Sequence, residues 1–93
     1  MKIPKKIKVL AREYTIEIVD SINEQDHLGE TKHSKLNIKI KRSHPLQMEQ
    51  TLLHELFHCI AGTFTEYEVD TLANSLHSLI KDNPGMFKEL SKT

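Results

Sequence analysis

The chain has 93 residues, enough for one domain around one modest hydrophobic core, with little room for a separate substrate-binding domain. Thirteen basic and thirteen acidic residues cancel to a formal charge of zero, so no global basic excess draws the chain to nucleic acid. Cys59 is the only cysteine, which rules out an internal disulfide and fits a reducing compartment, so a cytoplasmic protein is expected.

The opening stretch MKIPKKIKVL is rich in lysine, but no apolar run or cleavage site follows it. It reads as solvated lysines flanking a first strand rather than as a signal peptide, and no stretch is apolar for long enough to span a membrane. In KIKVL, Ile7 and Val9 alternate with lysines; in YTIEIV, Tyr14, Ile16 and Ile18 alternate with Thr15 and Glu17. Both have the two-residue period of half-buried strands, and Ala11 to Glu13 between them predicts a hairpin turn. SINEQDH is polar and reads as a loop. LGETK and LNIKIKR then flank a short turn at His33, Ser34 and Lys35. Leu36, Ile38 and Ile40 alternate with Asn37 and Lys39, and the lysines suit an edge strand, where charge discourages unwanted pairing.

Helices follow. Ser43 or His44 can cap a helix that has Pro45 at its first position and ends near Ala61, where Gly62 supplies the stop. TEYE is a capping box, with Thr65 as cap and Glu68 three residues into a second helix over about 66–82. Val69, Leu72, Ala73, Leu76, Leu79 and Ile80 recur there at helical spacing, and Asn83 and Pro84 end it before a last turn at 84–91. The whole is expected to be one α+β domain. Three or four antiparallel strands over about 5–41 come first, then two helices packed on one sheet face.

The first helix carries the informative residues. In TLLHELFHCI the apolar side chains cover most of the circumference, a helix buried nearly all round. Thr51, His54, Glu55 and His58 interrupt it at spacings that form one narrow stripe. His54 to His58 is an H-E-x-x-H pattern. Histidines four apart lie one turn apart on one face and can hold one ion, while the glutamate between them can reach a metal-bound water without ligating. Two imidazoles and an open water position describe a catalytic zinc site. Left unpaired in this most apolar segment, histidine and glutamate would be costly, and the alternative to a metal site is a pair of histidines that merely hydrogen-bond in the core.

A third ligand is expected at the start of the second helix. Glu66 shares a face with Val69 and Ala73 and is favoured; Glu68 is committed to the capping box, and Asp70 could instead orient a ligand histidine. Cys59 diverges from His58 by about 100° around the helix, so it reads as a small buried residue rather than half of a Cys–His pair. His77 is expected at the surface or half-buried, and His27, His33 and His44 are expected exposed. Tyr67, the one aromatic near the proposed site, reads as a packing residue before an oxyanion donor.

On TLLHELFHCI, on TEYEVDTLANSLHSLIKDNP, and more loosely on the preceding LGE…LNIKI hairpin, the chain resembles the zincin metallopeptidases. More narrowly it resembles the small ImmA/IrrE-like proteins of phages and mobile elements. The resemblance implies a small sheet backed by the active-site helix, with His54, His58 and Glu66 as zinc ligands and Glu55 as general base. It also implies a protein or peptide substrate, a regulator in such families, lying along an edge strand, here Leu36–Ile40. The seven residues between His58 and Glu66 are a shorter gap than is usual for the class. Two rivals are a zincin-like binding module with a structural zinc and, ranked last, a nucleic-acid binder using the lysines at 2, 5, 6 and 8.

Overall fold

The computed structural model describes residues 2–23 and 27–92. Four strands, β1 (Lys6–Val9), β2 (Arg12–Val19), β3 (Gly29–Lys32) and β4 (Asn37–Lys41), precede three helices, α1 (Pro45–Ile60), α2 (Glu66–Asp82) and α3 (Pro84–Leu90). The fold is α+β, as expected, and its sheet is mixed. The order is β1-β2-β4-β3, with β2 and β4 parallel and the other two pairs antiparallel. The parallel pair arises because β3 goes to the far edge first and β4 returns between it and β2.

Two details of the sheet correct the expectations. The turn between β1 and β2 is Leu10–Ala11 rather than residues 11–13, because Val9 pairs directly with Arg12. Both turn residues have positive φ (50° and 69°), the two-residue geometry that matches strand twist and ordinarily recruits Asn-Gly. Neither residue type announces such a turn.

The strand at Leu36–Ile40 is also not an edge. Leu36 takes a left-handed conformation that ends the short 3-10 turn His33–Lys35, and β4 lies inside the sheet with Ile38 and Ile40 fully buried. Its lysine is tolerated there because Lys39 stands in register with Glu17 on one side and Glu30 on the other. β1 and β3 are the edges.

His44 caps α1, its Nδ1 accepting from the Leu46 N–H at 3.2 Å. The predicted capping box opens α2: Thr65 Oγ1 accepts from the Glu68 N–H, and Glu68 Oε1 accepts from the Thr65 N–H. α1 packs on the sheet, joining Leu52 to Val9, Tyr14, Ile16, Ile38 and Ile40, and α2 packs on α1 through Val69 and Ala73. The helices are therefore layered rather than side by side on one sheet face.

Nor is α1 buried all round. Leu46 and Ile60 are about half exposed, whereas Glu49, Thr51 and Glu55 are among its most buried side chains. The sheet and α2 cover the polar side and leave a third side open. No helix among the described residues is long and apolar enough to cross a membrane.

His77, expected near the surface, is buried between the helices. Its Nε2 lies 2.8 Å from Glu49 Oε1, and Lys81 Nζ approaches the same oxygen at 3.1 Å. The sequence reading missed this cluster, whose one signal was a histidine and a lysine four apart on the inner side of α2.

Two predictions follow from these features. His77→Ala leaves the buried carboxylate of Glu49 short of a partner and should cost about 3 kcal/mol in urea unfolding. Replacing Leu10–Ala11 with Asn-Gly relieves two left-handed positions at an exposed tip and should raise stability by about 1 kcal/mol, read as a higher melting temperature.

Candidate metal centre

Residues four apart on α1 bring the two imidazoles together, with ring centroids 4.7 Å apart and planes at 70°. His58 Nε2 lies 3.0 Å from His54 Nε2. Immediately after α1 the chain turns at Ala61–Phe64 and starts α2, which delivers Glu66 over both rings. Glu66 Oε2 is 3.0 Å from His54 Nε2 and Oε1 is 2.8 Å from His58 Nε2. The short connection is therefore sufficient, because the capping box starts α2 as soon as the chain has reversed.

The three candidates for third ligand separate cleanly in space. Glu66 joins the histidines, and His54, His58 and Glu66 form a group able to hold a metal ion, their ligand atoms all within 4.8 Å of one another. Glu68 faces back to the cap, where hydrogen bonding by Thr65 holds its carboxyl below the usual glutamate range. Asp70 accepts from His54 Nδ1 at 2.7 Å. With its proton committed at Nδ1, the ring presents the Nε2 lone pair to the ion position.

Glu55 is buried beside this group, only 7 % exposed, and Thr31 on β3 donates its hydroxyl to Glu55 Oε1 at 2.7 Å. The strand comes this close because residue 29 is glycine. A Cβ on Gly29 would stand 2.7 Å from Thr51 Cγ2 and 3.0 Å from Glu55 Oε2. Thr51 cannot swing away freely, since its hydroxyl is tied to the Gln47 carbonyl at 2.8 Å.

A polar cavity of about 780 Å³ opens over the site between β3, α1 and the start of α2. Glu55 and the three metal-group residues line it, together with His27, His33, Gln50 and Asn74. His27 and His33 are exposed, as expected, yet both face this cavity, which a loop reading of the sequence did not anticipate.

Tyr67 is not at the site: it is 80 % exposed and borders a shallow apolar cleft with Phe64 and Leu72. Tyr14 places its hydroxyl 3.4 Å from Nδ1 of His33, a residue of the cavity lining. Cys59 is half-buried, and burial pushes its thiol above the usual cysteine range, against the opposing effect of the Tyr14 hydroxyl. A neutral thiol of this kind is a poor nucleophile.

No family model matches the chain, and no curated protein or solved structure proved similar to it.

Gly29→Ala should destabilise the protein by about 1–3 kcal/mol through overpacking between β3 and α1. Chemical denaturation checks this.

Proposed function

We propose that the chain is a zinc-dependent peptidase of the zincin type, similar to the small ImmA/IrrE-like proteins of phages and mobile elements. The observation that carries this reading is the convergence of His54, His58 and Glu66, with Glu55 buried beside them under an open cavity.

Two imidazoles, one carboxylate and an open fourth position are the ligand pattern of catalytic zinc. Zinc bonds of about 2.0–2.2 Å set tetrahedral ligand atoms roughly 3.3 Å apart. The two Nε2 atoms are 3.0 Å apart, and Glu66 reaches His54 through Oε2 at 3.0 Å and His58 through Oε1 at 2.8 Å, separations close to those an ion would require of its ligands.

When bound, zinc polarises the scissile carbonyl and acidifies the attacking water. Glu55 takes the water's proton as the oxygen adds to the carbonyl carbon, then delivers it to the amine as the C–N bond breaks. Asp70 keeps His54 oriented throughout. The substrate is an extended segment of protein lying along β3 rather than along Leu36–Ile40. Among the described residues β3 is an edge strand with β4 as its one strand neighbour, and an edge of this kind can take an extended segment by strand addition.

The rival reading, a binding module in which zinc ties α1 to α2, draws on the ligands coming from both helices. It leaves unexplained a buried glutamate that lines the same cavity as the metal group.

Mass spectrometry of the intact, tag-free protein should find about one zinc per chain, lost in His58→Ala. Glu55→Gln should keep the zinc and lose hydrolysis of labelled casein by about a hundredfold or more. A wild type with no bound metal, whose melting temperature zinc does not raise, would end the peptidase reading.

A further inference from the structure

A glutamate that serves as a base must present one oxygen, in one direction, to one water. Its terminal torsion does not ensure this, because rotation about the last bond of a glutamate is broad and nearly two-fold. At Glu55 the two oxygens have different surroundings. Oε1 accepts the Thr31 hydroxyl at 2.7 Å, a length within the range of hydrogen bonds to an ionised acceptor. Oε2 has the bare α-carbon of Gly29 beside it, where even a methyl group would stand at 3.0 Å.

Residues 29 and 31 are two apart on β3 and so share the face turned to α1. Threonine is branched at Cβ and stiff at χ1, and its strand is anchored to β4 from Gly29–Ile40 to Lys32–Asn37.

We propose that Thr31 is a positioning residue: by holding Oε1 it fixes the Glu55 carboxylate so that Oε2, beside the space Gly29 leaves, is the oxygen left to take the proton of the attacking water. This rests on the peptidase reading and deepens it, since the strand proposed to pair with the substrate also sets the aim of the base. One rigid segment then positions both reacting partners.

The test uses cobalt(II)-loaded protein, whose visible spectrum reports on the metal, titrated with acetohydroxamate, which occupies the open position and donates a hydroxyl to the base. Thr31→Val, which keeps the shape and removes the hydroxyl, should take up cobalt as the wild type does and bind acetohydroxamate about tenfold more weakly, the usual cost of one hydrogen bond. Thr31→Ser should recover binding to within about twofold, which also controls for misfolding of the valine variant. On a Glu55→Ala background, Thr31→Val should cause no further loss, because Thr31 acts through Glu55.

Equal affinity in wild type and Thr31→Val overturns the proposal. So does a loss of the same size on the Glu55→Ala background, which marks a merely structural threonine. A wild type that takes up cobalt but no acetohydroxamate overturns the positioning role and leaves the metal site standing. A wild type that takes up no cobalt removes the peptidase reading, and the positioning role with it.

Discussion

The approach of β3 to α1 at Gly29 is the contact on which the site depends. A helix lying on a sheet ordinarily presents apolar side chains to it, and α1 does so at Leu52, which closes the core with Ile38 and Ile40. On the β3 side the same helix presents Thr51 and Glu55, both nearly buried. A buried carboxylate is tolerable only if it is hydrogen-bonded, and Thr31 meets that need at the place where glycine lets the strand come near. A bulkier residue at 29 would push the strand away and leave Glu55 without its partner. The packing of this edge and the chemistry of the site are one constraint.

A second constraint sets the other wall. α1 and α2 are antiparallel, and the chain reverses within a few residues after Ile60. The reversal delivers Glu66 to the two histidines and Asp70 to the far nitrogen of His54. The capping box does more here than satisfy backbone donors. By fixing Thr65 as the residue before the helix and holding Glu68 back to it, it determines which acidic residue of the first turn faces α1.

These features were legible in the sequence because they are local. The H-E-x-x-H spacing, the cap at Thr65 and the proline at the start of α1 each need only a few neighbouring residues, and the helical period converts them into faces. What escaped was set by partners distant in sequence. Lys39 looked like an edge residue until Glu17 and Glu30 proved to flank it in register. His77 looked like a surface or half-buried residue because Glu49, its partner, is twenty-eight positions away. Thr31 had no motif at all, since its part depends on which helix the strand lies against. Leu10 and Ala11 form a tight turn without the residues such turns prefer, so pairing of β1 with β2 imposes the geometry on them.

The antiparallel helix pair is closed by polar groups at both ends. Near the connection stand His54, His58, Glu66 and Asp70; toward the other end Glu49 meets His77 and Lys81. Between them the interface is small and apolar, with Val69 and Ala73 nearly fully buried. The two clusters differ in burial: Glu49 is 3 % exposed in its side chain and Glu66 is 73 % exposed. A buried carboxylate whose one oxygen meets two side chains of the facing helix is specific about the distance between the helices. An exposed one that meets two ring nitrogens can yield and re-form when an ion enters or leaves. The inner cluster therefore sets the packing of α1 on α2, and it leaves the outer cluster, a group able to hold a metal ion, free to adjust. In a chain with so small a core, that division lets the site adjust without loosening the fold that carries it.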